Sequence, residues 1–316
     1  MTKATKIYLN RLARRAGEQG ARSQNQVGVE KSTTGSTKNN RLLKCKQNVR
    51  ICTFNARTLN SKTKFSELIA VSEKYEIDII CVQEHRLYHP DISIKVHEMG
   101  KGWQFATSSA VKAENNSTIG GVGILLSPTA YKSLLNIESI DPRTMIATFN
   151  GNPQTSIISC YSPTNTADED VAKKFYEDLT DLIKLIPKHN VKIVGGDMNA
   201  KIGKVDCKVS SFHETTNRNG ELLLDLISEC EMINLSTYFC KRSGKLWSFT
   251  YPNGARAQLD HVLINKKWKN SAIDCQSYNT FSSIQSDHRP VTAIIRLSLR
   301  ANKVNKHRKC RMTGQN

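Results

Sequence analysis

The amino-acid sequence predicts an α/β fold in which two packed β-sheets carry helices on their outer faces. Eight apolar runs of strand length follow residue 48, and each is bounded by Gly, Pro, Asn, Asp or Ser. Only three other stretches repeat apolar residues at helical spacing, and the chain therefore combines many strands with few helices. That ratio favours two sheets packed face to face with helices outside.

The elements follow one another along the chain with turn residues between them. In chain order the predicted strands are VRICTF, IDIICVQ, GGVGILL, RTMIATF, TSIISCY, VKIVGG, AQLDHVLI and VTAIIRL. Helices are predicted in KTKFSELIAVSEKY, DVAKKFYEDLTDLIKLI and GELLLDLISEC, where apolar side chains recur on one face. Pro187 closes the second helix because proline cannot continue one.

The net charge of +18 is concentrated in two tails. Residues 1–47 carry +9 and residues 300–316 carry +6, which leaves +3 for residues 48–299. Residues 1–47 have too few apolar positions for a core and predict a basic disordered arm, and residues 300–316 predict a basic tail. Such arms suit the binding of a polyanion such as nucleic acid. The alternatives are that the arms only keep the protein soluble, or that the start of the chain is an organelle transit segment.

Several classes of protein are excluded by motifs that the sequence lacks. No run approaches the length of a membrane span, and the first residues do not resemble a secretory signal. Neither the P-loop, the H-E-x-x-H pattern nor the G-x-S-x-G pattern is present. We therefore expect an intracellular protein without stable membrane association.

Polar residues follow the predicted strands at five separate places. They are Asn55, Glu84, Asp197 with Asn199, Asp260 with His261, and Asp287 with His288. One such residue is usually a turn former, but five coincidences predict a cluster where strand ends meet at one rim. Gly195 and Gly196 precede Asp197, and we expect them to leave space for a substrate.

The residue types in this set indicate phosphoester chemistry. Glu84, Asp197, Asn199 and Asp287 offer oxygen ligands, which suit Mg²⁺ or Mn²⁺ better than zinc. Such an ion polarises a phosphoryl oxygen, and His288 can act as general acid or base or stabilise developing charge. The set predicts metal-assisted in-line hydrolysis of a phosphoester.

Six motifs together resemble the endonuclease/exonuclease/phosphatase superfamily. They are TFNAR, CVQEH, CYSPTN, VGGDMNAKIG, QLDHVLI and SDHRP, and the resemblance covers residues 48–299. It implies one domain built as a four-layered sandwich of two mixed β-sheets flanked by helices. It also implies Glu84 as the principal metal ligand and Asp287 as a further metal ligand or water-site partner.

The same resemblance implies catalytic roles for six further residues. Asn55 would position active-site groups, Tyr161 would contact the scissile phosphate, Asp197 and Asn199 would align or deprotonate water, and Asp260 would orient the phosphate-contacting His288. Arg57 and Thr164 stand where repair-type members carry an acid and an asparagine, which makes abasic-site repair a less expected role.

A finer resemblance is carried by NARTLN, GDMNAKIG, HETTNRNGELLLDL and WSFTYPNG. These phrases resemble endonuclease domains of RTE-type non-LTR retrotransposons and proteins similar to craniofacial development protein 2. The implied function is Mg-dependent nicking of double-stranded DNA that leaves a 3′-hydroxyl, in the nucleus. A phosphatase or phosphodiesterase acting on a lipid or small molecule, and a catalytically silent nucleic-acid-binding relic, stay open.

Some conspicuous residues near these motifs are left outside the predicted site. Trp247, Phe249 and Tyr251 alternate as in a packed hairpin. His85 is expected to be structural, and His213 lies in a loop of undecided role.

Overall fold

The chain forms four layers, in which two seven-stranded sheets pack face to face and helices cover both outer faces. This computed structural model describes residues 26–28, 40–90, 92–207, 209–281 and 284–299. The predicted α/β sandwich of two mixed sheets is confirmed. Among the described residues, no helix is both long and apolar enough to cross a bilayer.

The described strands lie along the whole domain. They are, in chain order, β1 (Gln26–Gly28), β2 (Val49–Asn55), β3 (Ile79–Gln83), β4 (Ile94–Glu98), β5 (Gln104–Ser108), β6 (Val111–Lys112), β7 (Thr118–Ile119), β8 (Val122–Leu126), β9 (Leu134–Asp141), β10 (Thr144–Phe149), β11 (Thr155–Tyr161), β12 (Val191–Asp197), β13 (Met232–Asn234), β14 (Phe249–Thr250), β15 (Arg256–Ala257), β16 (Asp260–Asn265), β17 (Ala272–Ser277) and β18 (Val291–Ile295).

The described α-helices are α1 (Lys62–Lys74), α2 (Pro128–Ser133), α3 (Glu169–Leu185), α4 (Arg218–Glu229) and α5 (Leu235–Tyr238), and short 3₁₀ turns span Ser243–Lys245 and Lys266–Ser271. The α1 N-terminus is capped by the Ser61 hydroxyl, which accepts the Lys64 N–H at 3.3 Å. The Asn217 side chain caps α4 by accepting the Gly220 N–H at 2.8 Å. The three helices predicted from periodicity are therefore present.

One sheet has the order β1-β9-β10-β11-β12-β16-β13, and the other has the order β17-β18-β2-β3-β8-β5-β4. Apolar side chains from both sheets form the central core, which includes Ile51, Ile124 and Ile193. Helices α3 and α4 pack on the outer face of the first sheet, and α1 packs on that of the second. Each sheet therefore buries both of its faces, as the continuous apolar runs in the sequence require.

The strand directions place the predicted site at one rim. β2 runs parallel to β3, and β11 runs parallel to β12. A hydrogen bond from Asn55 to Asp197 joins the ends of β2 and β12, so all four strands end at the same side of the sandwich. β16 is antiparallel to β12 and β18 is antiparallel to β2, so these two strands begin there. The polar residues after four strand ends and at two strand starts are thereby brought to one place.

The ordered domain begins earlier than residue 48. Leu42 and Leu43 are buried in the central core, and the Leu42 N–H donates to the Asn150 carbonyl at 3.0 Å. Residues 26–28 pair with β9 as an edge strand. Residues 26–28 and 40–47, which belong to the predicted disordered arm, therefore include positions that contact the folded domain. The rest of that arm and the basic tail from residue 300 lie outside the described residues.

Gly195 and Gly196 do not open space for a substrate, so that expectation is wrong. A Cβ on Gly195 would lie 3.1 Å from the Cys81 Sγ of β3 in the opposite sheet. A Cβ on Gly196 would lie 2.3 Å from the Cys160 carbonyl oxygen of β11. The missing side chains allow close packing inside the protein.

We expect Gly196→Ala to lower the free energy of unfolding by about 3 kcal/mol, because the new methyl group overlaps backbone that cannot move independently. Urea denaturation measures the change. Gly244→Ala is the matched control, since a Cβ there meets nothing within 4 Å. A Gly196→Ala protein as stable as the control would contradict the packing described for β11 and β12.

Candidate active site

Asn55 is the central hydrogen-bond donor of the rim. Its side-chain amide lies at the end of β2 and donates to Glu84 Oε1 and to Asp197 Oδ2, both at 3.0 Å. Its Oδ1 accepts the Arg57 N–H at 3.0 Å. Asn55 is buried, so one amide ties together two carboxylates that arrive from different sheets.

Glu84 follows β3 and holds its carboxylate among donors. Its Oε2 accepts from Arg86 at 3.0 Å, and its carboxylate also accepts from the Tyr161 hydroxyl. Burial raises the pKa of Glu84, but the hydrogen bonds from Asn55, Tyr161 and Arg86 outweigh burial and lower it below the usual value. Glu84 therefore stays ionised, and its positive φ of 50° marks a turn held by its surroundings.

Asp197 ends β12 beside Tyr161 of β11, with which it is in register. Its Oδ1 accepts the Asn199 N–H at 3.0 Å, while the Asn199 amide donates to the Ser162 carbonyl at 3.0 Å. Burial and the neighbouring Asp260 raise the pKa of Asp197 to about 7. Asp197 is thus a carboxylate that can take up a proton near neutral pH.

His288 and Asp260 form a buried pair opposite Asp197. The His288 Nδ1–H donates to Asp260 Oδ2 at 2.8 Å, and His288 Nε2 lies 3.7 Å from Asp197 Oδ2. Burial lowers the pKa of His288, but the charges of Asp260 and Asp197 outweigh it and raise the pKa to about 9. The imidazolium therefore persists at neutral pH with Nε2 directed toward Asp197.

Asp287 is the predicted site residue that is joined least directly to the others. Its carboxylate forms an ion pair with Arg57, and its other oxygen, Oδ1, is buried without a partner. The remaining seven predicted residues are linked by hydrogen bonds or, between His288 and Asp197, by the 3.7 Å contact. Asp287 reaches this network only through Arg57 and its neighbour in the chain, His288.

The donor set fits a hard divalent cation. Only oxygen atoms are offered by Glu84 and Asp287, and the buried, unpartnered Oδ1 of Asp287 has lone pairs left to coordinate an ion. A second group of potential ligands is formed by Asp197, Asp260 and His288. There, however, the Asp260–His288 hydrogen bond already uses Nδ1, which favours proton transfer over coordination.

Three supporting residues were not predicted from the sequence. The Ser286 hydroxyl donates to the Asn55 carbonyl at 2.7 Å and accepts the His288 N–H at 3.0 Å. The Ser248 hydroxyl accepts the N–H groups of Leu259 and Asp260, both at 3.1 Å. The Phe249 ring lies 4.7 Å from the His288 ring. Only Phe249 had a sequence signal, in the alternating aromatic residues of WSFTY.

Two other histidines, His85 and His213, have structural hydrogen bonds. His85 is fully buried, donates from Nε2 to the Val122 carbonyl at 3.1 Å and accepts the Leu87 N–H at 3.0 Å. His213 accepts the Gln258 N–H at Nε2, at 2.9 Å. Both rings must be neutral to act as acceptors, so neither is available as an acid at this rim.

His213 predicts a loss of stability in mild acid. Burial and the nearby Lys201 lower its pKa to about 4, below the unfolded value of about 6.5. Its contribution is therefore present above pH 6.5 and is lost as the pH falls toward 4, by about 1 kcal/mol after allowance for solvent screening. His213→Gln keeps an acceptor and should remove this part of the pH dependence, whereas the exposed His189→Gln should not. Denaturant titrations at pH 7 and pH 4.5 measure the free energy of unfolding of both variants. An equal loss of stability between the two pH values in the two variants would contradict the assignment.

Comparisons with known proteins give one family match and two curated relatives. The model of the Endonuclease/Exonuclease/phosphatase family matches residues 52–288. Craniofacial development protein 2 from Tragulus javanicus is 25% identical over 286 residues, covering 89% of this chain and 47% of that protein. The Bos taurus protein is 25% identical over 261 residues, covering 81% of this chain and 42% of its own length. The chain therefore spans less than half the length of these curated relatives.

Solved structures share the fold at low sequence identity. The endonuclease domain of TRAS1, a telomere-specific non-LTR retrotransposon, is 14% identical with a TM-score of 0.55, covering 79% of this chain and 99% of that domain. The AP endonuclease LMAP from Leishmania major is 14% identical with a TM-score of 0.59, covering 94% of this chain and 100% of that one. The 3′ phosphatase NExo from Neisseria is 18% identical with a TM-score of 0.59, covering 78% and 98%.

Proposed function

Because the chain belongs to the Endonuclease/Exonuclease/phosphatase family, we propose that it is a divalent-metal-dependent endonuclease that nicks double-stranded DNA and leaves a 3′-hydroxyl. The observation that carries the proposal is the continuous contact from Asp260 through His288 and Asp197 to Asn55 and Glu84. We assign these residues the roles of general base, cation and metal-side carboxylate, which phosphodiester hydrolysis requires.

In this mechanism, Asp197 accepts a proton from the attacking water. The pKa of about 7 matches that task, and Asn199 fixes the carboxylate by donating its N–H to Oδ1. The water oxygen bonds to phosphorus as the bond from phosphorus to O3′ breaks, and O3′ takes up a proton from solvent water, so the products are a 5′-phosphate and a 3′-hydroxyl. Asn55 holds the other carboxylate oxygen of Asp197 toward His288.

His288 and Tyr161 deal with the charge of the phosphate. The imidazolium, held by Asp260, directs its Nε2–H toward the space beside Asp197, where it donates to a phosphoryl oxygen that gains charge. Tyr161 presents a hydroxyl at the Glu84 side, and burial with the Glu84 charge raises the pKa of that hydroxyl, so it stays a donor. Glu84 and Asp287 are proposed to hold Mg²⁺ or Mn²⁺, which supplies Lewis-acid stabilisation of the leaving oxygen.

DNA is the proposed substrate for two reasons. Residues 1–47 and 300–316 carry most of the +18 charge, which suits a polyanion, and two of the similar folds belong to a retrotransposon endonuclease and an AP endonuclease. We accordingly propose residues 48–299 as the catalytic domain, extended by residues 40–47, and a nuclear location where double-stranded DNA is available. A phosphatase is the second candidate, because NExo, of similar fold, is described as a 3′ phosphatase.

A substrate panel separates these candidates. Purified protein with Mg²⁺ is given closed-circular plasmid, a 3′-phosphorylated hairpin, sphingomyelin vesicles and inositol phosphates. The proposal predicts open circles whose nicks a DNA polymerase extends without prior treatment, since extension needs a 3′-hydroxyl. Release of phosphate or headgroup with an intact plasmid would replace the endonuclease by a phosphatase or lipid phosphodiesterase.

A further inference from the structure

A cluster of cations lies on aromatic rings at the hairpin of β14 and β15. The guanidinium carbons of Arg289 and Arg256 lie 3.9 Å and 4.5 Å from the centre of the Trp247 ring. Nearby, the Lys201 ammonium lies 5.4 Å from the centre of the Tyr251 ring. Stacking of this kind orients a cation without neutralising it.

The arginines of this cluster differ from those at the metal side, because no carboxylate within the described ranges neutralises them. Arg57 pairs with Asp287, and Arg86 pairs with Glu84. In the part of the chain that the structure describes, neither Arg256 nor Arg289 forms an ion pair with a carboxylate. Arg289 Nη1 donates to the Gly244 carbonyl at 3.1 Å, but no described carboxylate neutralises either guanidinium group, so both keep their charge for an anion.

Two buried donors in this cluster have no acceptor within the described protein. They are the Trp247 Nε1–H and the Arg289 Nε–H. Buried donors normally find partners, because an unmet donor costs about 1–3 kcal/mol.

The cluster is attached to the catalytic histidine. Arg289 follows His288 directly, and its N–H donates to the Ser248 carbonyl at 2.6 Å. On the other side, the Thr250 N–H donates to the Asp287 carbonyl at 3.0 Å, and Phe249 contacts the His288 ring. These contacts join the cluster to the segment that carries His288.

We propose that Trp247, Arg256 and Arg289 form a binding site for a second backbone phosphate of the nicked DNA strand. This inference rests on the proposed function, since it takes DNA as the ligand. The site fixes the register of the strand, so that the scissile phosphate lies at His288 while a neighbouring phosphate is held by the two guanidinium groups.

The test measures DNA binding without catalysis. A fluorescein-labelled duplex is titrated with full-length protein in EDTA at several salt concentrations, for wild type, Arg256→Gln, Arg289→Gln and the double variant. Each phosphate contact contributes about 0.9 to the slope of log K against log salt. The double variant Arg256→Gln/Arg289→Gln is therefore expected to lower the slope by about 0.9 and to weaken binding about eightfold at about 0.1 M salt, and each single variant is expected to lose part of that slope.

Arg50→Gln is the matched control, because it removes the same charge from an arginine paired with Glu76 at the opposite end of β2. It should keep the wild-type slope, and Arg256→Lys should restore most of the slope lost in Arg256→Gln. Slopes in Arg256→Gln and Arg289→Gln equal to that of Arg50→Gln would overturn the inference. So would wild-type binding to phosphatidylserine vesicles that depends on these arginines while duplex binding does not.

This result is independent of the catalytic proposal. If the slopes fall as expected while the protein never nicks plasmid, the phosphate site stands and the endonuclease proposal fails. If the protein nicks plasmid and the slopes of the variants are unchanged, the endonuclease proposal stands and the phosphate site is excluded.

Discussion

Asp197→Asn is expected to lower the rate of DNA nicking by at least about 10³-fold, because the amide cannot accept a proton from water and no longer offsets the His288 charge. The substitution keeps the size and one acceptor oxygen of the side chain. Single-turnover nicking of a closed-circular plasmid at saturating protein measures the loss directly. Measuring binding of the same DNA in EDTA shows whether the change lies in the chemistry.

The control for Asp197→Asn is Asp178→Asn, which removes a carboxylate paired with Lys174 on the surface of α3. This variant should nick at the wild-type rate. Activity of Asp197→Asn within about tenfold of wild type would exclude Asp197 as the general base, since base catalysis supplies about 10²- to 10⁴-fold.

Asp260→Asn is expected to reduce nicking by about 10³- to 10⁴-fold with little effect on DNA binding. Asp260 is buried and accepts the Nδ1–H of His288, which fixes the tautomer and supports the imidazolium. An asparagine amide donates to Nδ1 instead, so the ring keeps its position but loses its Nδ1 proton and its positive charge.

Nuclear magnetic resonance of the histidine ring nitrogens separates this account from simple unfolding. Wild-type His288 should titrate near pH 9, whereas in Asp260→Asn the ring should titrate well below that value because its carboxylate partner is gone. An unchanged titration of His288 in a folded Asp260→Asn protein would contradict the pairing.

The overall fold followed from the sequence because its strongest signals are local. Continuous apolar runs such as IDIICVQ are buried on both faces in β3, and the stripe in DVAKKFYEDLTDLIKLI forms α3. Strands with mixed patterns were missed. β4, with the sequence IKVHE, has one fully buried position, and β9, LLNIESID, alternates irregularly. Their pairing partners decide their structure, and partners are not encoded in a local pattern.

The residue types of the site could be predicted from the sequence, but only some of the contacts between its residues could. A carboxylate or amide after an apolar run is visible in one sequence, and parallel strand ends bring such residues together. The supporting contacts join residues far apart in the chain, as when Ser286 donates to the Asn55 carbonyl or Arg57 pairs with Asp287. No spacing rule connects such positions. Gly195 was misread for the same reason, since its neighbour Cys81 belongs to the other sheet.

The most direct test of the central claim is plasmid nicking with and without a divalent ion. Closed-circular DNA is incubated with wild-type protein in Mg²⁺ or in EDTA, beside His288→Ala in Mg²⁺. We expect open circles with wild type in Mg²⁺, none in EDTA, and a rate reduced by at least about 10²-fold in His288→Ala. Equal nicking by wild type and His288→Ala, or no Mg²⁺-dependent nicking by a folded wild-type protein, would contradict the central claim.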